Sequence, residues 1–226
     1  IGREKVHDDV FTLELTQGHE QCDRSTRTNA CQFKVTDQRG VYGTACEWTS
    51  GKIHTLGKVS FMYGRIEARI KMPKGVGMWP AFWMLGTDIK TNPWPACGEI
   101  DIVEAKGASP KMAFGTVHGP GYSGGDGIGG LTPLKSLNHS SFNVYAIEWK
   151  PDQIRWLVND KVYFTLNKAD VGANEWVFNK EFYLVLNVAV GGYFTGDIDP
   201  DLKSGTMMVD YIRAYSLNGV GKVTKY

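Results

Sequence analysis

The sequence lacks the features that mark several large classes of protein. Its 226 residues contain no apolar run of about 18 residues, the length that a membrane-spanning helix needs. Its charges nearly cancel, at a formal net charge of +1, so nothing draws it in general to nucleic acid or to an anionic membrane surface. We therefore expect no nucleic-acid or membrane partner, and we expect a monomer.

Cysteine is scarce as well. The chain has four cysteines and no CxxC or Cys/His spacing typical of a zinc site. Cys22 and Cys31 bracket a polar loop that little else would order, which favours a disulfide, while Cys46 and Cys97 either pair with each other or remain buried thiols. Disulfides favour a secreted protein. No signal peptide is present, but the chain begins with Ile1 rather than Met, so we expect it to have been processed or trimmed.

Glycine and aromatic residues are abundant. The 27 Gly, 10 Tyr, 10 Phe and 7 Trp indicate many turns and an aromatic-lined surface. Short alternating segments separated by turn residues predict one all-β domain over residues 1–226, either a sandwich or a barrel. Residues 169–176 alone look helical or irregular. We predict strands at residues 10–15, 32–35, 42–50, 59–72, 78–85, 98–104, 112–118, 142–149, 153–158, 161–166, 182–190 and 206–215.

Two of these segments are patterned clearly. Residues 59–72 alternate between an apolar row and a row of charged and aromatic side chains, as in a strand with one face on a core. Residues 78–85 place Trp79 and Trp83 on one face of a strand, although the same spacing fits a helix. Pro80 and the aromatic content favour the strand.

Two connecting segments are also informative. Asn159 and Asp160 predict a hairpin turn. The glycine-rich residues 119–130 lack the GK[ST] ending of a phosphate-binding loop, so we expect a mobile loop at the rim of a site.

Three carboxylates lie within the six residues that follow Gly98, in the sequence GEIDIVE. Alternation along a strand puts Glu99 and Asp101 on one face. Regular alternation would turn Glu104 to the other face, where a buried and unpartnered carboxylate is costly. A β-bulge, which inserts one extra residue, would bring all three to the same face. We predict the bulge.

Paired carboxylates on one face suit glycoside hydrolysis. One carboxylate acts as nucleophile or base, and the other, its pKa raised by neighbouring charge, acts as general acid. The simpler alternative is a solvated acidic strand face. Asn187, the polar residue of the apolar segment 182–190, either satisfies buried backbone groups or reaches a sugar hydroxyl.

Six blocks of sequence between residue 53 and residue 216 carry a resemblance to a known family: FMYGRIEARIKMPKGVGMWPAFWMLG, WPACGEIDIVE, GTVHGPGYSGG, YAIEWKPDQIRWLVND, NVAVGG and VDYIRAY. They resemble the family 16 glycoside hydrolases, specifically the laminarinase-like endo-β-1,3-glucanases. The resemblance implies a jelly-roll β-sandwich of two antiparallel sheets with a concave substrate cleft, a retaining mechanism, and no required cofactor. Laminarin-type β-1,3-glucan is the expected substrate, with mixed-linkage β-glucan and, less so, agar or carrageenan as rivals.

The same resemblance implies roles for individual residues. Glu99 would be the nucleophile, Glu104 the acid/base, and Asp101 the residue that holds the nucleophile and tunes its charge. Arg65 and His118 match positions that contact sugar or the catalytic carboxylates.

Further matches concern sugar and metal binding. Trp79, Trp83 and Trp94 match cleft aromatics, whose flat faces suit sugar rings, with core packing as the alternative. Asp210 matches a position that helps hold a structural calcium, with partner ligands from the N-terminal part.

Two expectations concern the limits of the resemblance. The N-terminal strand region looks shortened relative to the family, which puts part of the cleft and the calcium site in question. A non-catalytic β-glucan recognition protein on the same fold is the alternative function. Such relatives typically lose the catalytic glutamates, whereas this chain keeps all three carboxylates. A purely structural sandwich would give no reason for the acidic strand.

Overall fold

The structure is a computed structural model that describes residues 51–226, except 134–136 and 203, together with three short strands nearer the N-terminus. These three are β1 (Arg3–Lys5), β2 (Phe33–Asp37) and β3 (Gly40–Gly43). The strand predicted at residues 10–15 lies outside the described residues, as do Cys22, Cys31 and Cys46. Cys97 is a buried free thiol.

Thirteen further strands and two short 3-10 helices make up the described remainder of the chain. Within it, no helix is long and apolar enough to cross a membrane. The 3-10 helices are η1 (Gly124–Asp126) and η2 (Lys168–Val171). The strands are β4 (Lys52–His54), β5 (Val59–Met62), β6 (Gly64–Lys71), β7 (Met78–Gly86), β8 (Glu99–Glu104), β9 (Met112–His118), β10 (Ile128–Pro133), β11 (Asn143–Lys150), β12 (Gln153–Val158), β13 (Lys161–Asn167), β14 (Phe182–Val190), β15 (Met208–Leu217) and β16 (Lys222–Lys225).

Two antiparallel sheets form the sandwich that the sequence predicts. The smaller sheet has the order β1-β15-β6-β11-β12-β13. The larger sheet has the order β10-β9-β8-β7-β14-β5-β16, and β4 pairs with β14. β2 and β3 form a separate hairpin. That residues 1–226 make a single domain stays a prediction.

The hydrophobic core lies between the two sheets and takes side chains from strands β5 to β9 and β11 to β15. Alternation puts Phe82 and Met84 of β7 in the core beside Ile100 of β8, while Trp149 and Trp156 enter it from the smaller sheet. The opposite face of the larger sheet carries the predicted site residues. We call this face, which bears Trp79, Trp83, Glu99, His118 and Asn187, the cleft face.

The prediction of one long strand over residues 59–72 is wrong. The segment is two strands in different sheets, because β5 belongs to the larger sheet and β6 to the smaller one. The chain turns between them at Tyr63 and Gly64, whose φ angles are 62° and 90°. A side chain at Gly64 would meet the carbonyl oxygen of Tyr215 at 2.4 Å, so only glycine fits this turn.

Other predictions had mixed outcomes. Residues 78–85 are strand rather than helix, and the turn at Asn159 and Asp160 is confirmed, with positive φ at both residues. The expected loop at residues 119–130 is wrong in its last three residues, because β10 begins at Ile128 and pairs with β9.

Candidate active site

The acidic strand β8 lies inside the larger sheet, between β7 and β9, and it contains the predicted bulge. On the β7 side, Val103 pairs with Phe82 and Asp101 with Trp83, so Ile102 is the extra residue. On the β9 side, the register shifts between Asp101 and Glu104 as well. The bulge is therefore confirmed on both neighbouring strands.

The bulge forms because two consecutive apolar residues both enter the core. Ile102 and Val103 are 1% and 0% exposed, so the alternation of the strand is interrupted between them. The buried indole N–H of Trp156 also donates to the backbone oxygen of Asp101 at 2.8 Å, which fixes the bulge from below. Consequently Glu104 shares the cleft face with Glu99.

Each of the three carboxylates has a distinct partner. The indole N–H of Trp94 donates to Oε2 of Glu99, and that of Trp79 donates to Oε1 of Glu104 at 2.9 Å. Nε2 of His118 lies 3.2 Å from Oδ2 of Asp101. One ligand atom each of Glu99, Asp101 and His118 lies within 4.8 Å of the others. Glu99, Asp101 and His118 thus form one compact group, Glu104 lies on the same face of β8, and a tryptophan N–H donates to each glutamate.

Burial and mutual repulsion raise the pKa of every carboxyl group in this set. For Glu99, burial is the larger cause and the charge of Asp101 the second. For Asp101, burial comes first and the charge of Glu104 second. Burial raises the pKa of Glu104 to about 7, although the hydrogen bond from Trp79 favours its charged form. Glu104 can therefore hold a proton near neutral pH, as a general acid must.

After burial, the charge of Asp101 is the next cause of the raised pKa of Glu99. Asp101 is 2% exposed, so a full charge on both carboxylates would be strongly disfavoured. The hydrogen bond from Trp94 favours the charged form of Glu99. The charge of each carboxylate therefore opposes ionisation of the other, while Trp94 favours a charge on Glu99.

Trp83 and Asn187 form a second polar contact on the cleft face. The indole N–H of Trp83 donates to Oδ1 of Asn187 at 2.7 Å, and both side chains are half-buried. Nζ of Lys52 lies 5.6 Å from the centre of the Trp83 ring. Asn187 thus binds a cleft side chain, with its amide NH₂ group as the donor that remains for a ligand.

Comparison with known proteins decides the family. The model of Glycosyl hydrolases family 16 matches residues 13–213. The chain belongs to this family.

Individual family 16 relatives are similar over most of this chain. A beta-glucanase of Rhodothermus marinus is 40% identical over an alignment of 181 positions that covers 75% of this chain and 63% of that protein. A glucan endo-1,3-beta-glucosidase A1 of Niallia circulans is 38% identical over 75% of this chain and 26% of its own length. The chain thus spans less than two thirds of either curated relative.

Solved structures agree on the fold. An endo-beta-1,3-glucanase of Pyrococcus furiosus matches with a TM-score of 0.73 and 44% identity, over 82% of this chain and 72% of that one. The two-sheet sandwich described above is therefore the family 16 jelly roll.

Arg65 does not join the other predicted site residues, which corrects its expected role in the cleft. It lies on β6 of the smaller sheet, and its side chain is 1% exposed. The guanidinium binds Glu67 and Asp160, each at 2.7 Å. Its Nη1 also lies 3.5 Å from Oε1 of Glu148, so Arg65 is held in an ionic network of the sheet opposite β8, away from the cleft face.

Asp210 also lies on the smaller sheet, at an irregularity of β15. Its carboxylate binds the guanidinium of Arg69, which supplies the positive charge that calcium would bring. Among the described residues, the acidic and histidine side chains close enough to hold a metal do not include Asp210. The predicted N-terminal partners of Asp210 lie outside the described residues, so the calcium site stays a prediction.

Sequence reasoning missed an aromatic group beside Glu104. The ring of Phe194 lies 5.0 Å from that of Trp79 and 5.2 Å from that of Phe114. Phe114 shares a row with His118 on β9, so alternation could have indicated it. Phe194 follows the NVAVGG block in a segment without periodicity, and no pattern points to it. Together with Trp79, these rings form what we call the aromatic wall (Trp79, Phe114 and Phe194).

Proposed function

We propose that this chain is an endo-acting, retaining β-glucan hydrolase that cleaves internal β-1,3 bonds. The observation that carries the proposal is the bulge of β8, which puts Glu99 and Glu104 on one face with an indole N–H on each. A solvated acidic face gives no reason for a buried aspartate between two half-buried glutamates, all three with raised pKa values.

The double displacement uses the two glutamates in turn. Glu99 attacks the anomeric carbon and forms a glycosyl ester, while Glu104 gives its proton to the departing glycosidic oxygen. Water then attacks the same carbon, Glu104 takes the water's proton, and the ester bond to Glu99 breaks. Two inversions at one carbon leave its configuration unchanged.

The charge of Glu99 helps Glu104 to change roles. That charge raises the pKa of Glu104, which favours the acid form before the first step. Once Glu99 is esterified its charge is gone, so the pKa of Glu104 falls and the carboxylate form, which acts as base, is favoured. We assign to Asp101, on the same face of β8, the roles of holding the nucleophile in place and adjusting its charge.

The preference for β-1,3 bonds rests on the relatives, several of which are named as endo-1,3-glucanases. Mixed-linkage β-glucan is the closest rival substrate. Time-resolved products from laminarin and from lichenan separate the two, because a β-1,3 enzyme releases oligosaccharides mainly from laminarin.

The enzymatic assignment is tested with purified wild type, Glu99→Gln and Glu104→Gln on laminarin, with folding confirmed by circular dichroism. We expect both variants to lose at least about a thousand-fold in kcat, because each removes a group that acts in the transition state. Glu175→Gln, a change at an exposed residue, is the matched control. An unimpaired Glu99→Gln enzyme would refute the assignment, and laminarin binding without reducing-sugar release by wild type would indicate a recognition protein.

We also propose a secreted monomer. Secretion is supported by the size of the proposed substrate, because a long polysaccharide must be cut before a cell can take it up, while the monomer is carried over from the expectation based on the sequence.

A further inference from the structure

Lys106 lies two residues beyond Glu104 and is fixed to the same sheet. The N–H groups of Ala105 and Gly107 donate to the backbone oxygens of Pro80 and Met78 at 3.0 and 2.8 Å. This backbone therefore continues to pair with β7 after β8 has ended. Ala105 is fully buried, and alternation turns half-buried Lys106 to the cleft face, beside Glu104.

The ammonium group of Lys106 contacts the aromatic wall. Its Nζ lies 4.3 Å from the centre of the Phe194 ring and 5.5 Å from that of Phe114. No ion pair between described residues involves Lys106. The faces of the two rings are thus the contacts that hold this charge, and both lie within cation–π distance.

The loop that carries Phe194 is tied down at its backbone on either side of the ring. The N–H of Gly191 donates to the oxygen of Gly77 at 2.7 Å, and Oγ1 of Thr195 donates to the same oxygen at 3.2 Å. Tyr193, next to Phe194, is 89% exposed. The loop backbone is therefore anchored, while the orientation of the Phe194 ring depends on Trp79, Phe114 and Lys106.

We propose that Lys106 is a positioning residue that clamps Phe194 onto Trp79 and so completes a sugar-binding wall beside the acid/base Glu104. The proposal rests on the proposed function, which supplies the sugar. A flat, rigid wall presents the apolar face of a glucose ring with a surface for stacking, and the clamp removes the freedom that the Phe194 ring would otherwise lose on binding. The positive charge also lies where it favours the charged form of Glu104.

The wall is tested by binding, independently of turnover. In the Glu99→Gln background, the Kd of a β-1,3-gluco-oligosaccharide is measured by calorimetry for Lys106→Met, Lys106→Arg and Phe194→Ala. We expect Lys106→Met to raise Kd about three-fold, the range of a partly exposed cation–π contact, and Lys106→Arg to stay near the parent. Lys111→Met, an exposed lysine in the loop before β9, is the matched control.

A double-mutant comparison separates clamping from a direct sugar contact. If Lys106 acts through Phe194, Lys106→Met has no further effect on Kd once Phe194 is alanine. A Kd change of the same size in both backgrounds, or none in either, overturns the proposal.

The pH profile provides a second readout, which a purely structural role would not move. Loss of the ammonium charge raises the pKa of Glu104, so the alkaline limb of kcat/KM shifts to higher pH in Lys106→Met and not in Lys106→Arg. An unmoved limb in Lys106→Met contradicts the proposed electrostatic contact. A wild type that binds the oligosaccharide without cleaving it refutes the proposed function alone, and one that binds none overturns both.

Discussion

Two indole N–H groups donate to the two glutamates of the cleft face, and each favours the charged form of its glutamate. Trp79 donates to Glu104 and lowers its pKa, opposing the effect of burial. We expect Trp79→Phe to move the alkaline limb of kcat/KM upward by about one pH unit, because the charged form of Glu104 loses a hydrogen bond. Trp83→Phe is the control, since Trp83 donates to the amide of Asn187, which does not titrate. An unchanged limb in Trp79→Phe would refute this role of the indole.

The sequence alone was enough to predict that the three carboxylates share one face of a strand, but it was not enough to place every other predicted site residue. Strand parity and the cost of burying Glu104 were enough to predict the bulge, because both follow from local geometry. The location of Arg65 could not be predicted in this way. Its side chain faces the cleft or the opposite side of the molecule according to which sheet its strand joins. The turn at Tyr63 puts that strand, β6, in the smaller sheet.

At the level of strands, Trp156 supports the bulge of β8 from the core. Its N–H binds the buried oxygen of Asp101, whereas that of Trp149, equally buried, binds the oxygen of Phe178 at 3.0 Å. We expect Trp156→Phe and Trp149→Phe to cost similar stability, about 1–3 kcal/mol each, because each leaves a buried carbonyl unpaired. Only Trp156→Phe should also lower kcat by ten-fold or more, since it loosens the bulge. Equal kcat losses, measured on folded protein, would contradict this.

The C-terminal strand β16, which the sequence did not predict, is held by Glu181. This carboxylate accepts hydrogen bonds from Lys222, Thr224 and Tyr226 at 2.7, 2.8 and 3.0 Å. These four exposed or half-exposed residues show no strand pattern, so sequence periodicity could not find them. The contact with Lys222 is the main reason why the pKa of Glu181 is lowered to about 2.

We expect Glu181→Gln to lose about 2 kcal/mol of stability at pH 7, a drop of roughly 4–8 °C in Tm. The folded-state pKa is depressed, so this stability is present above pH 4.5 and is lost as the pH falls toward 2. Thermal melts of wild type and variant should therefore converge at low pH. A Tm difference that persists unchanged at pH 2 would contradict the ionic role of Glu181.

For the molecule as a whole, buried His139 links stability to pH. Its ring is 0% exposed, and burial lowers its pKa to about 4, because the charged form is poorly solvated there. The unfolded chain takes up a proton near pH 6.5, so this group reduces stability as the pH falls from 6.5 toward 4, by about 3 kcal/mol in total. We expect the stability of His139→Gln to depend less on pH over this interval, measured by urea unfolding. If the free energy of unfolding depends on pH equally in variant and wild type, this role of His139 is contradicted.

Fold class was predictable because it follows from many independent short signals. Strands β9, β12 and β14 have the predicted limits, since each has a regular alternating or continuously apolar pattern. Sheet membership and long-range pairs were not predictable, because they arise when distant segments pack, as Phe194 does on Trp79.

The proposed roles of Glu99 as nucleophile and Glu104 as acid/base can be tested directly by chemical rescue. Azide is added to Glu99→Ala and to Glu104→Ala, with an aryl β-glycoside of a β-1,3-linked disaccharide as substrate. In Glu99→Ala, azide takes the place of the nucleophile and displaces the aryl oxide once, which gives the inverted α-glycosyl azide. In Glu104→Ala, the ester on Glu99 still forms, and azide then opens it to give the retained β-glycosyl azide. NMR of the anomeric proton distinguishes the products. We expect the α-glycosyl azide from Glu99→Ala and the β-glycosyl azide from Glu104→Ala. Exchanged configurations, or no rescue of either variant, would contradict the proposed roles of the two glutamates.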